Sequence, residues 1–200
     1  MYQRKDAFHA RAKAEGFRSR AAYKLIELAR SQRLVRSGDA VLDLGAWPGS
    51  WLQVAADLVG PRGLVCGVDL RPIHDVGRDN VFTVVGDVGD ASVIEAVSSR
   101  AERAFDVVLS DLAPPLSGIR ARDEARADEL LDHVLTWTDE LLRPGGHLVI
   151  KLFMGAGFEE RRRRLRERFA SVRLTRPDAT RKGSAEVYAM GRNHRPTGRS

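Results

Sequence analysis

The stretch Asp43-Leu44-Gly45-Ala46-Trp47-Pro48-Gly49-Ser50-Trp51 constrains the fold more than any other part of the chain. It follows the short apolar run Ala40-Val41-Leu42 and leads into residues 52–59, where apolar residues recur at helical spacing. A strand that enters a helix through a glycine turn belongs to an open α/β sheet, and such a turn aims backbone N–H groups at a nucleotide-like ligand. Gly45 and Gly49 lack a Cβ, so the chain can bend sharply and a ligand can lie against its backbone. The spacing is Gly-x-x-x-Gly, not the Gly-x-Gly-x-x-Gly of dinucleotide enzymes. Glycines in such a turn also serve packing alone, so the functional reading depends on the residues at the ends of the later strands.

Four more apolar runs occur at 64–68, 81–85, 105–109 and 147–153, separated by helical patterns at 90–103 and 123–142. Pro144-Gly145-Gly146 stops the second of these helices. A helix from 19 to 30, capped by Ser19 and carrying Lys24, precedes the glycine turn. A helix at 157–169 and short strands at 171–174 and 186–190 complete the pattern. This alternation predicts an α/β, Rossmann-like single domain, with a mostly parallel central sheet and helices on both faces. Ligands of such sheets sit outside the carboxyl ends of the strands, and Asp69, Asp87 and Asp111 all fall at such ends. Asp69 is placed to accept from two ribose hydroxyls, and Asp87 from an adenine amino group. Each aspartate alone reads as a turn or cap residue. Three of them beside a glycine turn point to a nucleotide-type pocket.

A chain of 200 residues fits one domain with a sizeable core. No run approaches 18 apolar residues and the N-terminus is polar and basic, so no membrane span or secretory leader is expected and a cytoplasmic location is. Cys66 is the only cysteine and lies in an apolar run, which reads as a buried thiol. The five histidines are scattered without ligand spacing, and no metal site is expected. The net charge of +6 is unevenly distributed. Residues 1–36 hold ten Lys/Arg against three acids, residues 159–200 thirteen against five, and the middle ten against nineteen. Two basic ends around an acidic core suggest a polyanionic partner beside a separate ligand pocket, with nucleic acid the first candidate. The bland alternative is a set of solvated helix faces. Residues 1–16 read as a basic arm with little order of its own, 17–191 as the domain, and 192–200 as a flexible tail.

Only five of the 33 cationic side chains are lysines. Arginine does not surrender its proton at useful pH, whereas lysine does when burial or a like charge favours the neutral amine. Lys151 sits in the nearly apolar run 147–153. It reads either as a residue that snorkels to water from a strand end or as a base aimed into the cleft.

Together these features resemble a known family. The glycine turn with Pro48-Gly49-x-Trp51, the segment Ser110-Asp111-Leu112-Ala113-Pro114-x-x-Ser117-Gly118 and the strand Val149-Ile150-Lys151-Leu152-Phe153 are similar to the FtsJ/RrmJ type of S-adenosylmethionine-dependent RNA ribose 2′-O-methyltransferase. Phe17-Arg18-Ser19-Arg20-Ala21-Ala22-Tyr23-Lys24-Leu25, Arg176-Pro177-Asp178 and Ser184-Ala185-Glu186-Val187-Tyr188 extend the likeness over nearly the whole chain. The resemblance implies a catalytic tetrad of Lys24, Asp111, Lys151 and Glu186, with Lys151 deprotonating the ribose hydroxyl. It implies S-adenosyl-L-methionine as cofactor, contacted by Gly45, Trp47, Gly49 and Trp51 at its methionine part, by Asp69 and Asp87 at ribose and adenine, and by Asp111. Trp47 stands where a small residue is common and Ser50 where glycine is frequent. Proline follows Asp111-Leu112-Ala113-Pro114 where asparagine is frequent. The implied substrate is a uridine of large-subunit ribosomal RNA, gripped by the basic N-terminal segment and the arginines of 161–168, with the protein acting as a monomer. Transfer RNA or capped messenger RNA as target, and a non-catalytic ribosome-assembly factor, are the alternatives.

Overall fold

The computed structural model describes residues 3–114, 117–180 and 183–196. Seven strands form one sheet in the order β3-β2-β1-β4-β5-β7-β6. The parallel part comprises β1 (Ala40–Leu44), β2 (Leu64–Asp69), β3 (Val81–Val85), β4 (Phe105–Ser110) and β5 (Leu142–Phe153). β7 (Glu186–His194) returns antiparallel between β5 and β6 (Phe169–Thr175). β1 and β4 are buried at every position, because helices cover both faces of the sheet.

Two apolar layers result. On one face, α4 (Ala91–Ala101), α5 (Arg120–Leu141) and α6 (Phe158–Arg168) pack through Val97, Leu131, Trp137 and Leu165 against Leu42, Cys66, Val108 and Ile150. On the other, α2 (Ala21–Gln32) and α3 (Ser50–Val59) pack through Leu25, Leu28, Trp51 and Leu52 against Val41, Val107, Val149 and Tyr188. Asp90 caps α4 by accepting the Ser92 N–H at 2.8 Å. Cys66 is buried as expected, and burial pushes its thiol far above the ordinary range.

The ends of the chain differ from the sequence reading. Residues 3–14 form a helix, α1 (Gln3–Ala14), where an arm of little order was expected. It has no apolar stripe of its own and docks instead through Phe8 and Ala12 onto Tyr23, whose ring lies 5.6 Å from that of Phe8. At the other end, the tail expected from residue 192 begins inside β7, where Arg192 pairs with His147 on one side and Ser171 on the other. The start of the expected arm at 1–2, Pro115, and the end of the expected tail at 197–200 lie outside the described residues. Pro144-Gly145-Gly146 falls within β5, whose pairing with β4 shifts register there, rather than in a loop before the strand.

Trp137 is fully buried and donates its indole N–H to the Val88 carbonyl at 2.7 Å, tying α5 to the loop after β3. Trp137→Ala is expected to lower the unfolding free energy by about 3–5 kcal/mol through the cavity it leaves. Urea denaturation followed by far-UV circular dichroism measures this, with an unchanged m-value.

Candidate active site

Strand register assembles a cluster of charged side chains at the carboxyl end of the sheet. Lys151 and Tyr188 are direct partners across β5 and β7, and Phe153 pairs with Glu186. Tyr188 and Glu186 therefore leave β7 on the same face as Lys151. Ser110 pairs with Ile150, so Asp111, one residue on, arrives beside Lys151 from β4. Lys24 reaches the same point from α2, packed on that face.

The contacts are close. Lys151 Nζ lies 3.1 Å from Asp111 Oδ1 and donates to the Asp111 carbonyl at 2.6 Å. Tyr188 donates its hydroxyl proton to the same Oδ1 at 2.6 Å. Lys24 donates to the Tyr188 hydroxyl at 3.0 Å and to Glu186 Oε2 at 3.4 Å, and stands 4.0 Å from Asp111 Oδ1. Both lysines are buried. Burial, followed by the Asp111 charge and the hydrogen bond to it, pushes the Tyr188 phenol far above its ordinary range, so it stays a donor. The four residues expected to act together do meet. Tyr188 joins them as a member that sequence reasoning missed, although its place two residues after Glu186 on one strand put it on the same face.

A second group of residues surrounds an adjoining open cleft of about 910 Å³, with Gly45, Asp69, Leu70, Asp87, Leu112 and His133 among its walls. The glycine turn that starts this cleft is held by Asp69, which accepts the Trp47 N–H at Oδ2 and the Arg71 N–H at Oδ1, each at 2.9 Å. Gly45 has φ +82°, a conformation that side chains rarely adopt, and a Cβ there would collide with Leu112. The Trp47 ring stands 48% exposed on the rim under the Arg71 guanidinium. Asp87 lines the cleft with one carboxylate oxygen taken up by the Gly89 N–H.

The remaining expected contacts face elsewhere. Gly49, with φ +104°, turns toward Arg18, whose guanidinium donates to the carbonyls of Pro48, His74 and Asp75. Trp51 is buried against Tyr188 and donates its indole N–H to the Ala21 carbonyl at 2.8 Å, fastening α3 to α2. Ser19 and Ser50 share a hydroxyl–hydroxyl bond at 2.7 Å across the same seam.

Asp43 is a further residue that sequence reasoning missed, although a carboxylate inside an apolar strand is a visible signal. It is 1% exposed, and neither carboxylate oxygen has a partner among the described residues. Burial, then the charges of Asp111 and Asp69, raise its pKa well above the ordinary range. A buried carboxylate with nothing to accept from fits a ligand that brings a cation. The acidic residues around the cleft, its apolar Leu70 and Leu112, and the open backbone of the glycine turn together suit a nucleoside that carries positive charge.

The arginines of α6 are placed differently from the expectation that they form a phosphate grip. Arg161 is buried and paired with Asp128 at 2.7 Å and with Glu124. Arg164 pairs with Asp132, Arg168 with Asp139, and Arg163 with Glu160 and Glu167. Carboxylates of α5 and of α6 itself thus take up these four side chains, while Arg166 stands exposed.

The sequence model of the FtsJ-like methyltransferase family matches residues 17–194. A "Ribosomal RNA large subunit methyltransferase E" of Syntrophobacter fumaroxidans is 44% identical over 190 residues, covering 95% of this chain and 96% of the relative. A protein of the same name from Methanoculleus marisnigri is 45% identical, covering 96% and 93%. Among solved structures, a Plasmodium falciparum protein described as a ribosomal RNA methyltransferase superposes with a TM-score of 0.79 at 26% identity, covering 89% of this chain and 98% of that one. Aeropyrum pernix fibrillarin with bound S-adenosyl-L-methionine has a TM-score of 0.61 at 19% identity, covering 85% and 75%, a likeness of fold.

Because the Asp43 pKa is raised on folding, its contribution to stability is fully present below the ordinary carboxylate range and is lost as pH rises toward the folded value. Asp43→Asn in the cofactor-free protein is therefore expected to raise the melting temperature at pH 7 to 8 and to bring no gain near pH 3. Melting curves of both proteins across pH measure the difference.

Proposed function

The chain belongs to the FtsJ-like methyltransferase family, and from that membership we propose that it methylates a ribose 2′-hydroxyl of large-subunit ribosomal RNA with S-adenosyl-L-methionine as donor. The observation that carries this reading is the meeting of Lys24, Asp111, Lys151 and Glu186, from four separate segments, beside the acidic cleft. A uridine in the assembled large subunit is the target we favour.

The residues of the cleft fit the donor. Asp69 would accept from its ribose hydroxyls, Asp87 from the adenine edge, and Leu70 and Leu112 would flank the ring. The backbone of 45–49 would receive the methionine carboxylate, and Asp43 the ammonium. Trp47 would close the rim. Gly49 and Trp51 would act by shaping the turn and fastening it to α2.

When bound, S-adenosyl-L-methionine supplies a methyl group already activated by its sulfonium. The chain's own residues then have two tasks, to align the ribose oxygen with that carbon and to take its proton. Alignment of this kind contributes several kcal/mol in well-oriented reactions, on the order of 7 or more at best. Lys24 and Glu186 orient the hydroxyl. Lys151, as the neutral amine left after it gives up a proton to solvent, accepts the hydroxyl proton as the oxygen attacks, and Asp111, 3.1 Å from Nζ, holds the ammonium so formed. Tyr188 fixes Asp111 by its donated bond and gives Lys24 an acceptor. The tetrad is complete within one chain, which supports action as a monomer. Among the described residues no helix is long and apolar enough to cross a membrane. With ribosomal RNA as substrate, we place the activity in the cytoplasm.

The test supplies purified protein and radiolabelled S-adenosylmethionine with large subunits, free ribosomal RNA, transfer RNA and capped RNA from cells lacking this protein. Label at a ribose 2′-oxygen in the large subunit alone is the expected result. Label in transfer or capped RNA would keep the chemistry and move the target. Lys151→Ala is expected to lower methyl transfer by at least about 10³-fold, as loss of a general base does at the upper end of its range. Its cofactor affinity, by isothermal titration calorimetry, should change less than threefold. Strong loss of cofactor binding would instead make Lys151 a binding residue.

A further inference from the structure

The basic N-terminal segment is expected to face RNA, yet Arg18 within it turns inward. Its guanidinium donates to the Pro48 carbonyl at 3.0 Å, to the His74 carbonyl at 2.7 Å and to the Asp75 carbonyl. Pro48 belongs to the glycine turn after β1, and His74 and Asp75 to the loop after β2. One planar fork thus ties together two loops that lie far apart in sequence. The junction is tight. A Cβ on Gly49 would stand 2.8 Å from the Arg18 guanidinium and 3.2 Å from both Ile73 and Val76 of the second loop.

The same two loops are joined a second time at the cleft. Asp69 takes the Trp47 N–H at one carboxylate oxygen and the Arg71 N–H at the other, each at 2.9 Å. Asp69 lines the cleft and Arg18 does not, so the spacing of the loops is fixed once inside the cleft and once outside it. Those two N–H bonds set the orientation in which the Asp69 oxygens meet a ribose. Lys24, further along the N-terminal segment, is held by other contacts. Trp51 donates to the Ala21 carbonyl at 2.8 Å, and Ser19 shares its hydroxyl bond with Ser50 at 2.7 Å. Release of the Arg18 guanidinium therefore loosens the two loops and leaves the tetrad assembled.

We propose that Arg18 is a positioning residue for S-adenosyl-L-methionine, one that holds the two loops at the spacing in which Asp69 receives the donor's ribose. The inference rests on the donor occupying this cleft, as in the proposed function. A lysine at this position keeps the charge but gathers its donors on one nitrogen, which spans the two loops less well than a guanidinium. An arginine that binds RNA phosphate follows another rule, because a lysine supplies the same salt-dependent attraction.

Calorimetric titration of S-adenosylmethionine into the full chain, with steady-state methylation of large subunits, tests this in Arg18→Gln, Arg18→Lys and Gln53→Ala. Gln53→Ala is the control. Gln53 accepts the Arg18 backbone N–H and donates to the Gly16 carbonyl, so it fastens the same segment without touching the guanidinium. Loss of the charge-assisted bonds should raise the donor Kd and KM about 10-fold in Arg18→Gln and about 3-fold in Arg18→Lys. At saturating donor, kcat should fall less than about threefold in either variant. Gln53→Ala should bind the donor as wild type does. By fluorescence anisotropy, affinity for transcribed large-subunit ribosomal RNA and its salt slope should stay near wild type in Arg18→Gln. Arg18→Lys carries the same comparison if Arg18→Gln fails to fold. An unchanged donor Kd in the Arg18 variants, or an equal rise in Gln53→Ala, would overturn the proposal. So would a loss of RNA affinity in Arg18→Gln that Arg18→Lys restores. Wild-type protein that binds the donor but labels no RNA would sink the proposed reaction, and the calorimetric comparison would still decide the role of Arg18.

Discussion

One carboxylate, that of Asp111, holds the reactive end of this molecule together. It faces two lysines and receives a tyrosine hydroxyl, and its own backbone carbonyl also accepts from Lys151. Two buried lysines that both carry charge repel each other unless an anion lies between them. Asp111 is that anion, with Glu186 as the second. The same aspartate adds its charge to the field felt by Asp43 on the cofactor side. In the proposed reaction it thus links the group that handles the proton to the group that receives the donor. Strand β4, buried at every position, holds it in place.

The segregation of charge along the sequence becomes a division of labour in space. The acidic middle of the chain places Asp69 and Asp87 in the walls of one cleft, with the buried Asp43 coupled by charge to Asp111 and to Asp69, which favours a ligand with net positive charge. A sulfonium nucleoside carries that charge before transfer and loses it afterwards, so the same field that draws the donor in holds the product less tightly. The basic ends do not form one free cationic surface: most arginines of α6 pair with acids of α5 and α6, and Arg103 and Arg143 share Asp106.

Much of the fold was legible because its signals are local. Apolar runs, breakers and the glycine turn placed nearly every element within a few residues, and the aspartates at strand ends marked the cleft. The tetrad was not legible from pattern. Lys24 and Glu186 stand 162 residues apart, and only resemblance to a family joined them. Other features were available but unread. Glu124, Asp128 and Asp132 recur every fourth residue on α5, a stripe that complements Arg161, Arg164 and Arg168 on α6. Two matching stripes predict neutralised helices, whereas a run of four arginines taken alone looks like a free basic face. α1 escaped notice for the opposite reason. It lacks an apolar stripe, and its docking depends on an aromatic contact with Tyr23 that no local period encodes.

The antiparallel return of β7 gives the molecule two unequal kinds of integrity. Gly45, Asp69 and Asp87 hang on β1, β2 and β3, at one side of the sheet. Glu186 and Tyr188 hang on β7, which is bounded on its outer side only by the edge strand β6. Opening of that edge is a smaller event than unfolding of the centre, because edge segments exchange and fray at lower free energy than core strands. Such a fluctuation removes Glu186 and Tyr188 from the charged cluster while the donor cleft keeps its walls. On the proposed assignment, catalytic competence and donor retention thus belong to different cooperative units of one sheet.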